Sequence, residues 1–145
     1  MRKATMTLTL QREYAQARKA GYSARESLRT ARILREWNDL ESAGLVRLRA
    51  EGEQENYFDV YGEPDNPKER AETERYLDLW GCYCCLAEYL DTRGTWQVAD
   101  SIGMCVYANP LDPLDPLENW YIPDLMQSAI DGATAVHFQR AGSGI

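Results

Sequence analysis

The sequence predicts an α+β fold, a single domain in which helices pack on a small antiparallel sheet with a central hairpin at about 80–108. Three observations predict it. Residues 24–42 place Ile33, Leu34, Trp37 and Leu40 at spacings of three and four, the pattern of one buried helical face. Residues 80–90 and 95–109 are strand-like and flank the four-residue turn Asp91-Thr92-Arg93-Gly94. A last helical stripe of Leu125, Met126, Ala129 and Ile130 follows a proline-rich segment.

Taken in order, a first helix is expected over 9–20, where Leu10, Tyr14 and Ala17 share a face and Gly21 supplies a C-terminal glycine. Ser23-Ala24-Arg25-Glu26 matches a capping box, so a second helix starts there and runs to about Ser42, before Gly44. Its outer face carries Arg25, Arg29, Arg32, Arg35, Glu36 and Asp39, with Arg32 to Glu36 and Arg35 to Asp39 spaced for ion pairs. GLVRLRAEGEQENYFDVYG alternates Val46, Leu48 and Ala50 with Arg47 and Arg49, breaks at Gly52 to Asn56 and resumes at Tyr57 to Tyr61, which predicts two strands around a polar loop.

Asn66-Pro67-Lys68-Glu69 gives an N-cap, a proline at the first helical position and an acid at the third, predicting an acidic helix over 67–79. The segment NPLDPLDPLENWYIPDL has four prolines spaced so that neither helix nor central strand passes through it, and an extended, packed loop follows. Pro123 and Asp124 open the last helix, and the tail 142–145 is expected to fray.

A chain of 145 residues with 44% apolar side chains is large enough for one core, so residues 1–145 are read as one domain. No window approaches the roughly 20 apolar residues of a bilayer span, and the N-terminus lacks a signal-peptide pattern. A soluble, cytoplasmic protein with no membrane partner is therefore expected. The net charge of −7 hides an asymmetry. Residues 1–50, the basic helical part, hold 11 Lys/Arg and 5 Asp/Glu; residues 51–145, whose ordered part ends near 141, hold 5 and 18. The two parts, at +6 and −13, suit partners of opposite sign, although two independently solvated faces give the same pattern.

Three of the four cysteines fall in WGCYCCLAEYL. If the hairpin pairs Leu90 with Thr95, alternation puts Trp80, Cys82, Cys84 and Leu86 on one face, with Cys105 opposite Trp80. Cys85 then points the other way, and Tyr83, Ala87, Tyr89, Trp96, Val98 and Ile102 form the face that packs on the helices. Zinc needs four ligands in a tetrahedron, and this arrangement offers three thiols, with the single histidine, His137, far along the chain. Cys82 and Cys85 have redox C-x-x-C spacing, but a strand supplies no helix N-terminus to lower a thiol pKa. Buried, reduced cysteines without metal are expected, and no cofactor. Were a metal held, its ligands would be Cys82, Cys84 and Cys105. No P-loop, G-x-G-x-x-G, H-E-x-x-H or G-x-S-x-G is present, so no catalytic residue is nominated.

The order of helix 9–20, helix 24–42, AGLVRLRA, a polar loop and YFDVY resembles the later part of a winged helix-turn-helix domain. That resemblance implies a helix in the DNA major groove, through Arg25, Arg29 and Arg32, with Arg47 and Arg49 on phosphates. The chain departs from the family where the wing, EGEQEN, carries three glutamates and where a first helix is missing. Across the whole chain, EYAQARKAGYSARESLRTARILREW, SAGLVRL, the Asn-Pro before the acidic helix and NWYIPDLMQSAI resemble small uncharacterised proteins encoded by bacteriophages and prophages. The resemblance implies a phage protein acting in the cytoplasm of a bacterial host, and the lack of any nucleophile, base or cofactor constellation leads us to expect no enzymatic activity. It would be a host-takeover or anti-defence inhibitor, of anti-CRISPR or anti-restriction type, that occupies a host or phage protein. The contact is expected at Asp112, Asp115, Glu118, Trp120 and Tyr121, where prolines preset the backbone and aromatics stand beside carboxylates. Trp120 and Tyr121 would equally serve to clamp the loop onto the core. The alternative function is a winged-helix transcriptional regulator that binds nucleic acid through residues 24–50.

Overall fold

The structure is a computed structural model that describes residues 2–53, 56–106, 110–116 and 119–138, with side chains from Leu10 onward. It is a small α+β domain, and its helices and strands run in the order α1 (Arg2–Ala20), α2 (Ala24–Ser42), β1 (Val46–Gly52), α3 (Tyr57–Tyr61), α4 (Pro67–Trp80), β2 (Tyr83–Leu90), β3 (Trp96–Cys105) and α5 (Ile122–His137). The strands form one antiparallel sheet in the order β1-β2-β3.

Local chemistry sets most of the boundaries. Ser23 accepts the backbone N–H of Glu26 at the start of α2, and Asn66 accepts that of Lys68 at the start of α4, so each cap satisfies a donor the helix itself leaves free. Gly44 and Gly81 take positive φ just beyond these helices, a conformation that is costly for a residue with a Cβ. Asp91 shapes the hairpin turn: its carboxylate accepts the backbone N–H groups of Arg93 and Thr95 and the Gln97 amide.

The core joins Ile33, Leu34 and Trp37 of α2, Val46 of β1, Cys85 and Ala87 of β2, Cys105 of β3, and Ile122, Leu125, Met126, Ala129, Ile130 and Ala133 of α5. Leu111 and Leu114 of the proline-rich segment pack against it. α5 thus lies across one face of the sheet. Among the described residues no helix is long and apolar enough to cross a membrane.

Five expectations change. α1 begins at Arg2 rather than 9, because no Gly or Pro interrupts the segment before Leu10. Residues 57–61 form α3, not a strand, since Asn56 caps them by accepting the Phe58 N–H. β1 consequently pairs with β2, and the expected wing hairpin is absent from the described residues. Trp80 ends α4 instead of starting the sheet. Finally, Leu90 pairs with Trp96, and register shifts between Tyr83 and Cys85 and between Ala87 and Glu88 alter the faces. Cys105 pairs with Tyr83 and enters the core beside Cys85, while Val98 is 52% exposed and Ile102 packs inward. Trp96 lies under the Arg47 guanidinium, and Tyr83 is half-buried outside the core cluster.

Candidate protein-binding surface

The proline-rich segment is tied down at several points. The Tyr22 hydroxyl donates to Pro113 O at 2.7 Å, the Asn119 amide donates to Asp112 O at 3.1 Å, and Asp112 Oδ1 accepts the Leu114 N–H. Tyr22 is buried, and burial, followed by the charges of Glu26, Asp112 and Asp115, raises its pKa to about 12. Asp112 and Asp115 are half-buried, so they shape the loop as well as charging it.

The two neighbouring aromatics separate. Trp120 is 63% exposed, whereas Tyr121 belongs to the core and its hydroxyl sits 3.2 Å from Cys105 Sγ. Tyr121 thus lies in the core, the placement of the clamp, while Trp120 stays outside. Glu118 lies outside the described residues.

The basic residues also divide. Arg25 and Arg32 are exposed on α2, and Arg29 pairs with Asp124 at the start of α5. Arg47 and Arg49 both donate to the buried Glu88 carboxylate, at 2.9 and 2.5 Å through their Nε atoms, and Arg49 also reaches Glu51. Burial raises the Glu88 pKa, but hydrogen bonds from Arg49 and Arg47 outweigh it and the net shift is downward. Both guanidinium groups are thus bonded to a buried carboxylate while remaining part-exposed.

α3 and α4 form an arm with no fully buried residue. The arm is ordered by its own contacts: Tyr57 packs on Phe58 and Tyr61, Tyr76 stacks on Trp80 at 5.0 Å, and Arg70 lies over Phe58 while bridging Glu63 and Glu74. It leaves Leu79 65%, Tyr61 61%, Val60 46% and Trp80 37% exposed. Its residues 57–80 hold seven acids against three bases. The sequence offered only a faint sign of this surface, apolar residues at the ends of an acidic helix whose stripe is too narrow to bury.

The cysteines form two groups. Cys85 and Cys105 are buried in the core, where hydrogen bonding to Cys105 and then burial push the Cys85 thiol up. Cys82 and Cys84 are part-exposed at the end of the sheet, and Cys82 Sγ lies 3.6 Å from Met104 Sδ. The proposed set of Cys82, Cys84 and Cys105 is thus divided between surface and core. Among the described residues no group of three or more His, Cys, Asp or Glu is placed to hold a metal ion. His137 is engaged locally, with Nε2 2.6 Å from Leu90 O. No protein-family model matches the chain, and neither the curated proteins nor the solved structures provide a match.

Proposed function

We propose that this chain is a non-enzymatic binding protein that acts by occupying a protein partner, and that the α3–α4 arm is its principal contact. The observation that carries this reading is the concentration of exposed large apolar side chains, Val60, Tyr61, Leu79 and Trp80, on one acidic arm that buries nothing of its own. Aromatic anchors beside carboxylates suit a partner surface that is apolar at its centre and basic around it. Trp120 extends the same kind of surface on the proline-rich side. On the setting implied by the phage resemblance, the partner is a host or phage protein and the role a host-takeover or anti-defence inhibitor.

The test begins with capture and identification of a partner from bacterial lysate, followed by titration of the purified pair. Tyr61→Ser/Leu79→Ser is expected to weaken binding at least tenfold, equivalent to ~1.4 kcal/mol, with little change in chemical unfolding because both side chains are exposed. Unchanged affinity would remove the arm from the reading. The nucleic-acid alternative is separated by a salt series on duplex DNA: binding through several arginines must fall steeply with ionic strength.

A further inference from the structure

The end of the sheet where β1, β2 and β3 meet the arm holds three sulfur atoms that the core does not use. The Glu53 N–H donates to Cys82 O at 2.8 Å, which continues the β1–β2 ladder one residue beyond Gly52 and Tyr83. Cys82 and Cys84 are therefore two positions apart in extended chain and project to the same side. Opposite them, pairing runs from Cys85 with Ile102 to Tyr83 with Cys105, so Gly103 and Met104 together face Cys84 in a bulge. Met104 has φ 57, the only positive value for a non-glycine among the described residues, and the Glu53 carboxylate holds the bulge by accepting its N–H at 3.1 Å. A bulge that holds a bulky residue in the left-handed region is a costly local arrangement. Its consequence is to bring the thioether to 3.6 Å from Cys82 Sγ.

That separation has a chemical meaning. Two sulfurs bound to one ion at ~2.3 Å each lie roughly 3.7–4.0 Å apart at tetrahedral to trigonal angles. Cys82 and Met104 are already close to that span, and Cys84 is the part-exposed thiol two residues along the same strand face. Met104 also lines a cavity of about 190 Å³ with Tyr57, Thr73, Tyr76 and Val106, between the arm and the end of β3.

We propose that Cys82, Cys84 and Met104 form a binding site for a soft monovalent metal ion, copper(I). Two thiolates and a thioether are the donor set that copper(I) prefers, and they suit zinc poorly, since zinc takes thiolate, imidazole or carboxylate ligands and usually four of them. Binding is an exchange without redox change: two thiol protons leave, two Cu–S(thiolate) bonds and one Cu–S(thioether) bond form, and the site gains one net negative charge. The site is independent of the protein-binding reading, because none of its three residues is among the exposed apolar side chains of the arm.

The experiment is an anaerobic titration of reduced protein with copper(I) in competition with a chromophoric copper(I) chelator. One equivalent is expected to bind, with affinity reduced at least tenfold by Met104→Leu and at least a hundredfold by Cys82→Ser or Cys84→Ser. X-ray absorption of the wild-type complex is expected to show three sulfur neighbours, a readout that does not depend on any variant folding. A copper affinity unchanged in folded Met104→Leu, a two-sulfur spectrum, or preferential binding of zinc over copper(I) would overturn the proposal.

Discussion

Glu88 is 3% exposed on the sheet face turned away from α5, a position where an unpaired carboxylate would not survive burial. Arg47 and Arg49 flank it from β1, so three side chains on adjacent strands form one charge-compensated unit. Glu88→Ala is expected to lower stability by about 1–3 kcal/mol, the lower end applying because both guanidinium groups remain part-exposed. The folded-state pKa of Glu88 lies below its ordinary 4.5, so its stabilisation is fully present above that value and lost as pH falls through the folded pKa. Urea unfolding at neutral and acid pH is expected to show the wild type losing this contribution on acidification while Glu88→Gln does not. Tyr22 has the opposite sign. Its pKa is raised to about 12, so its contribution is complete below the ordinary value of 10.0 and disappears as pH rises through about 12. Ultraviolet titration of Tyr22→Phe against wild type is expected to remove one late-ionising phenol. Loss of the bond to Pro113 O is expected to cost about 1 kcal/mol.

At the level of elements, α5 meets β2 through a glycine. An added Cβ on Gly132 would stand 2.5 Å from the ring carbons of Tyr89, so the helix lies closer to the strand than an alanine allows. Gly132→Ala gains up to about 1 kcal/mol of helix propensity but forces the ring or the helix to move, and a net loss of about 1–3 kcal/mol is expected in chemical unfolding. Tyr89→Leu in that background is expected to recover part of the loss. This contact was not legible in the sequence, where Gly132 reads only as a weak point in a helix. What was legible were signals that act within about four residues: Ser23 and Asn66 as caps, Asp91 in its turn, Pro123 in the first turn of α5. The pairing of β1 with β2 crosses α3 and α4, and bulges leave no mark in composition. Alternation alone therefore put Cys105 on the wrong face and made a strand of Tyr57–Tyr61. The candidate surface was legible in the same uneven way. Trp120 and Tyr121 read alike in the sequence, as contact or as clamp, yet Trp120 is outside and Tyr121, one residue later, lies in the core beside Cys105 and α5.

Across the whole molecule, stability and exposed surface are set apart. α2, the sheet and α5 contribute to one buried cluster, while α3 and α4 have no buried residue and rely on capping, ring stacking and exposed ion pairs. Exposed ion pairs are worth little, and a 14-residue helix is marginal on its own. The arm should therefore open in a local step well below the free energy of global unfolding, which fits a surface that adapts to a partner better than one that supports the fold. Native-state hydrogen exchange is the measurement. Amides of Glu72 to Leu79 are expected to exchange through opening with little dependence on denaturant, at least a hundredfold faster than those of Ala87 and Ile130, which should exchange only with global unfolding. The same experiment on Tyr61→Ser/Leu79→Ser should leave the core amides unchanged, because neither side chain reaches the buried cluster. If the arm amides were instead as protected as those of β2 and α5, the arm would be an integral part of the cooperative fold. Its exposed Leu79 and Tyr61 would then require an explanation other than a detachable contact surface.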